Sequence, residues 1–151
     1  FFFCIFFIIK FPIYFLHFWL PKAHVEAPTR ASMVLAGLLL KFGTSGFIRV
    51  SFLLGGSFSF FFFFLSFLGG VFGCFFCLVQ RDLKFLAAYS SINHISFLFL
   101  VLVLCFNLGV WRGLIIIVSH GFVSTLLFFL VGEFYHNSFS RNFFFWGGIF
   151  F

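Results

Sequence analysis

The stretch HFWLPKAHVEAPTR, His17 to Arg30, holds two prolines, two histidines, a lysine, a glutamate and an arginine. On both sides of it the chain is mostly Phe, Leu, Ile, Val and Gly. Two readings follow. The stretch is a surface loop joining two membrane helices, or it is a polar break inside the membrane where chemistry occurs.

Composition decides the solvent. Of 151 residues, 64% are hydrophobic and 8% charged, and the mean hydropathy is +1.25. A soluble domain carries roughly 25% charged residues. This chain cannot cover a water-facing surface, so the reading is an all-α polytopic membrane protein with the lipid bilayer as its partner. The 35 phenylalanines read as lipid-facing bulk in place of Leu and Ile, as T-rich coding would give, more than as aromatic binding surfaces. The net charge of +6 is carried by basic residues scattered singly, without the cluster or stripe that a nucleic-acid partner requires. Several of them end apolar runs, as topology-setting charges do.

Redox and metal chemistry find little support. Cys74-Phe-Phe-Cys77 has redox or metal spacing, but it lies in an apolar run with no second pair and no nearby histidine. The remaining cysteines, Cys4 and Cys105, stand far apart. No thiolate cluster suits iron–sulfur, and no GxGxxG follows a strand, so no nicotinamide, flavin or metal is expected in this chain. Nucleophilic catalysis also needs a carboxylate orienter and an oxyanion hole, and Glu26, Asp82 and Glu133 are the whole acid supply. The chain opens on Phe1 within an apolar run, without a basic start or cleavage site. It is expected to be an internal fragment of a longer protein.

A spanning helix needs about 20 apolar residues. The apolar runs predict helices near 1–20, 31–50, 58–79, 85–106 and 110–131, with a truncated run from 143. They form a single membrane domain with no soluble domain. Turns are expected at Leu53-Leu54-Gly55-Gly56-Ser57 and Asn107-Leu108-Gly109. If all spans cross fully, the connections near 21–30, 80–84 and 132–142 share one side. Lys22, Arg30, Arg81, Lys84 and Arg141 then oppose Arg49 and Arg112, which favours that side as the inside.

Some residues do not belong in lipid. In a helix of about 20 residues Lys10 sits about 15 Å from either end, beyond the reach of snorkelling. Burial favours loss of its proton, or it faces hydrated polar groups. Tyr14 and His17 follow at i+4 and i+7 on the same helix face, and Pro12 frees the carbonyl of Ile8. Lys41 repeats the pattern, with Ser45 at i+4. His94 and His120 interrupt later runs, with Ser90 and Ser124 four residues away. Each alone reads as a packing residue. Together they form a sparse titratable set able to pass protons if waters bridge the gaps. For His24 and Glu26, a packing hinge with solvated charges competes with an accessory role.

KFPIYFLHFWLPKAHVEAP, continuing through SMVLAGLLLKFG, then QRDLKFLAAYSSINHISF and SHGFVSTLLFFL, resembles the chain 4 family of mitochondrial NADH:ubiquinone oxidoreductase, respiratory complex I. The likeness runs over about residues 8 to 141. It implies a fragment of a multi-helix antiporter-like bundle, with a discontinuous helix near residues 1–40 and two inverted repeats in the whole subunit. It implies a proton path through Lys10, Lys41, His94 and His120, with Tyr14, His17, His24 and Glu26 as accessory candidates. NADH, FMN and the iron–sulfur clusters would belong to partner subunits, with ubiquinone as the substrate of the complex. The partners would be other membrane subunits, in the mitochondrial inner membrane. Glu133 lies in a context unlike that of the family's later glutamate and receives no role. Arg30 stands where the family commonly has a small residue. A stand-alone cation/proton antiporter and a structural scaffold are the competing functions.

Overall fold

The computed structural model describes residues 16–54, 59–104 and 106–142. Lys10, Tyr14, Cys4, Cys105, most of the first expected span, the Gly55–Ser57 part of the expected turn and the run from 143 fall outside these residues.

The opening stretch is helical where composition alone suggests a loop. Helix α1 is Trp19–Glu26. Pro21 is accommodated because it lies in the first turn, where a backbone N–H has no helical acceptor. The helix ends at Ala27, which is extended with φ −74° and ψ 145°. Pro28 imposes that conformation by crowding the residue before it. Helix α2, Thr29–Val34, starts at once, and the Ser32 N–H donates to the Pro28 carbonyl at 3.0 Å. The discontinuity is therefore Ala27–Pro28.

From Val34 the chain passes through a π-helical turn, Leu35–Leu39, into α3, Leu40–Leu54. Then follow α4, Ser59–Val79, α5, Leu83–Leu104, and α6, Phe106–Ser138. Among the described residues, four helical segments are long and apolar enough to cross a membrane: Thr29–Arg49, Phe62–Val79, Leu83–Leu104 and Leu108–Ser138. Helix is the form such runs take in lipid, because it satisfies each backbone group within its own segment.

Two expected connections prove helical. Asn107-Leu108-Gly109 lies in the first turns of α6, where Asn is tolerated because the first N–H groups lack intrahelical partners anyway. The polar stretch beginning at Gly132 stays helical through Ser138. Glu133, His136 and Asn137 are exposed, so their polar groups remain solvated. The helix stops at Phe139, whose φ of 56° is left-handed and whose N–H donates to the Tyr135 carbonyl at 2.9 Å. That conformation costs an L-residue about 1–2 kcal/mol.

Contacts give the topology. Phe76 stacks on Tyr89 with ring centroids 5.7 Å apart, and Gly70 faces Ser96, so α4 and α5 run antiparallel. Leu102 meets Gly113 and His94 meets His120, so α5 and α6 do too. A Cβ on Gly132 would stand 2.8 Å from Thr29 Cγ2, and one on Gly37 would stand 2.7 Å from Thr125 Cγ2. The α2–π–α3 rod therefore runs antiparallel to α6, with backbones close at small residues, as helices associate in lipid. The core joins Leu20, Leu40, Phe47, Ile92, Ile95, Leu98, Phe99 and Ile117. Phe99 packs on Phe47 at 4.8 Å and edge-on to Phe62 at 5.3 Å.

The polar connections meet at one end of the bundle, as their numbering predicts. Asp82 bridges to Asn142, the Leu83 N–H donates to the Arg141 carbonyl at 3.0 Å, and Lys84 Nζ donates to the Ala27 carbonyl at 2.9 Å.

Candidate functional site

The site begins with the π turn. There the Leu40 N–H reaches back to the Leu35 carbonyl, so the Ala36 carbonyl is not claimed in the ordinary α register. A π turn often marks a functional position for this reason. Lys41 follows directly, and its Nζ donates to that Ala36 carbonyl. The same Nζ lies 3.0 Å from His120 Nδ1, on α6. The Thr44 hydroxyl, one turn on, donates to the Lys41 carbonyl at 2.9 Å.

His94 completes the group from α5. Its ring centroid is 5.4 Å from that of His120, with the planes tilted by 54°. A cavity of about 10 Å³, lined by Leu40, Lys41, Thr44, His94, Ile117 and His120, lies among them. That is about the room one water centre needs. On its other side Lys41 borders an apolar groove of about 530 Å³ between the π turn and α6, lined also by Gly37, Leu38, Gly121, Phe122 and Thr125. Lys41 thus lines both a water-sized cavity and an open groove. An imidazole nitrogen at hydrogen-bond distance from an ammonium can accept its proton, and the relative basicity of the two groups sets the balance.

The other candidates lie elsewhere. His17 is buried and stacks on Phe18 with centroids 4.4 Å apart. His24 is fully buried and lies flat on Phe128, centroids 4.4 Å apart and planes 14° from parallel. Neither His24 ring nitrogen has a hydrogen-bond partner among the described residues. Glu26 is exposed and pairs with Lys22 at 3.9 Å. The serines at helical spacing turn back onto their own helices: Ser45 donates to the Phe42 carbonyl, Ser90 to the Ala87 carbonyl and Ser124 to the Gly121 carbonyl. The structure thus joins Lys41 to His120 and sets the His94 ring beside His120; among the described residues His24 and Glu26 make their contacts elsewhere, and His17 stacks on Phe18.

Cys74 and Cys77 are free thiols, and Asn93 Nδ2 donates to Cys74 Sγ at 3.3 Å. Among the described residues no group of three or more His, Cys, Asp or Glu side chains is placed to hold a metal.

One residue escapes a reading by runs. Lys84 looks like the end of a polar connection, QRDLK, yet it is only 3% exposed. The available signal was helical: Lys84, Ala87, Ala88, Ser91 and Ile95 share the buried stripe of α5.

Among the described residues, four apolar spans and a broken entry define a polytopic, all-helical membrane protein, with a titratable trio drawn from three of its helices. The chain belongs to the NADH:quinone oxidoreductase/Mrp antiporter transmembrane family, whose sequence model matches residues 1–150. It is similar to the NADH-ubiquinone oxidoreductase chain 4 of Ascaris suum, 56% identical over 89% of this chain and 33% of that one. It is similar also to the chain 4 of Caenorhabditis elegans, 53% identical over 95% of this chain and 35% of that one. The chain spans about a third of the length of these curated relatives. Among solved structures, a chain of the membrane-bound sulfane sulfur reductase (MBS), an archaeal respiratory membrane complex, superposes with a TM-score of 0.79. It is 25% identical and covers 84% of this chain and 27% of that one.

Proposed function

We propose that this chain is part of a core membrane subunit of proton-pumping NADH:ubiquinone oxidoreductase, and that Lys41, His120 and His94 carry one stretch of its proton path. The observation that carries the reading is the Lys41 Nζ–His120 Nδ1 contact of 3.0 Å, beside a cavity the size of one water. A proton held on the Lys41 ammonium passes to His120 Nδ1, leaving a neutral amine and an imidazolium. The imidazolium then releases its Nε2 proton towards His94, the neighbouring ring, and exchange of the remaining proton from Nδ1 to Nε2 resets His120 for the next transfer. The amine regains a proton from the groove side. Each step moves one proton and leaves the covalent skeleton unchanged.

In this reading Lys10 supplies the path upstream, as the family resemblance implies. NADH oxidation, flavin and iron–sulfur electron transfer and ubiquinone reduction belong to partner subunits. The location is the mitochondrial inner membrane, consistent with the name of the relatives.

The test is Lys41→Ala in the full-length subunit within the intact complex. Proton pumping and coupled quinone reduction should fall while the complex still assembles. Normal pumping by an assembled variant defeats the assignment. Because the family also takes its name from Mrp antiporters, the same full-length chain, purified alone in liposomes, tests the second reading. Cation/proton exchange without any partner would establish a stand-alone antiporter. A third reading, a scaffold, predicts loss of assembly instead of loss of pumping in the lysine variants.

A further inference from the structure

Lys84 is a charged side chain buried in the first turn of α5. A topology-setting lysine would lie in the headgroups, but this one is directed inward, to the Ala27 carbonyl at 2.9 Å. No carboxylate lies within ion-pairing distance of it among the described residues.

The Ala27 carbonyl needs such a donor. Ala27 is extended at the end of α1. The first backbone bond of α2 goes to the Pro28 carbonyl, so the Ala27 carbonyl belongs to neither helical ladder. A helix break whose polar groups are withdrawn from water is tolerated only where protein covers them. A lysine on a neighbouring helix supplies three N–H donors on a long stem, and a cation also suits the negative end of the α1 backbone dipole.

The contact has a second consequence. The α2–π–α3 rod and α5 both run antiparallel to α6, so they are parallel to each other and both start at the polar end. From Pro28 to Lys41 the rod rises about 20 Å, and from Lys84 to His94 α5 rises about 15 Å. Lys41 and His94 therefore stand within about one helical turn of each other in height, and the tie at the starts of the two rods fixes that offset. A slip of one residue between the rod and α5 is about 1.5 Å, and it would shift His94 against Lys41 across the cavity that both line.

We propose that Lys84 is a positioning residue for the proton path: its ammonium closes the open Ala27 carbonyl at the helix break and sets the height of Lys41 against His94. This rests on the proton-path reading given above.

The experiment compares Lys84→Met, Lys84→Arg and Lys41→Ala in the full-length subunit of the intact complex, with proton pumping measured per assembled complex. Met preserves bulk and removes the donor, so pumping should fall several-fold. Arg restores N–H donors and should recover at least half of the parent rate. An assembled Lys84→Met complex that pumps at the parent rate overturns the role. If Lys84→Met does not assemble, Lys84→Arg decides: assembly with at least half the parent rate supports the role, and any weaker result overturns it. Lys41→Ala separates the two claims. If it pumps normally, the path itself falls; if it is silent while Lys84→Met pumps normally, only the positioning role falls.

Discussion

Lys41 Nζ and His120 Nδ1 lie 3.0 Å apart although 79 positions separate them in sequence. In the proposed path the pair acts as one unit, so removing either half should cost about as much as removing both. Lys41→Ala, His120→Ala and the double variant should each lower pumping by at least about tenfold, the scale on which positioned proton-transfer groups act. The losses should not multiply. A double variant much worse than either single one would mean that the residues work independently. Pumping by assembled complexes in vesicles gives all three values.

Packing between the π turn and α6 should respond to single atoms. A Cβ at Gly37 would stand 2.7 Å from Thr125 Cγ2, so Gly37→Ala should destabilise the contact by roughly 1–3 kcal/mol. Thr125→Ser deletes that methyl while keeping the hydroxyl that donates to the Gly121 carbonyl. The double variant Gly37→Ala/Thr125→Ser should therefore recover assembly lost in Gly37→Ala. Complex abundance on native gels reports this, and no recovery would remove the Gly37–Thr125 contact from the account.

His24 offers a clean separation of packing from proton transfer. Its ring lies flat on Phe128, and both its nitrogens lack hydrogen-bond partners among the described residues. His24→Phe keeps the stacked surface and abolishes titration, so the complex should assemble and pump near the parent rate. Phe128→Ala removes the other half of the stack and should lower assembly. A silent but assembled His24→Phe complex would return His24 to the proton path.

Glu26 should be dispensable. Its pair with Lys22 spans 3.9 Å between side chains 67% and 78% exposed, a geometry worth at most about 0.5 kcal/mol. Glu26→Gln should leave both assembly and pumping unchanged, as pumping measurements on the variant complex would register.

Much of this arrangement was legible in the residues, for one physical reason. Lys41, His94 and His120 are conspicuous because apolar surroundings tolerate them poorly, but the structure buries His120 and leaves His94 exposed, a difference that the residues alone do not reveal. Pro28 announces the break through its effect on Ala27. What stayed hidden depended on long-range geometry. Lys84 ends a polar pentapeptide and resembles a solvated charge until the fold brings Ala27 over it. The π turn has no composition of its own: LAGLL would serve equally well as plain α-helix. Asn107 and Glu133 were polar enough to suggest connections, but a helix carries such residues wherever its surface or its first turn leaves them satisfied.

The π turn has a consequence for how this segment tolerates change in length. Each helical residue turns the chain by about 100°. A π turn, however, winds five residues through roughly the angle that four α-helical residues cover. Deleting one residue from Leu35–Leu39 would therefore restore ordinary α winding and leave Lys41 facing α6 and Phe47 facing α5. The same deletion in α2 or α3 would swing everything beyond it by about 100°. In-frame deletions inside the π turn should therefore be far milder than deletions in the helices that flank it.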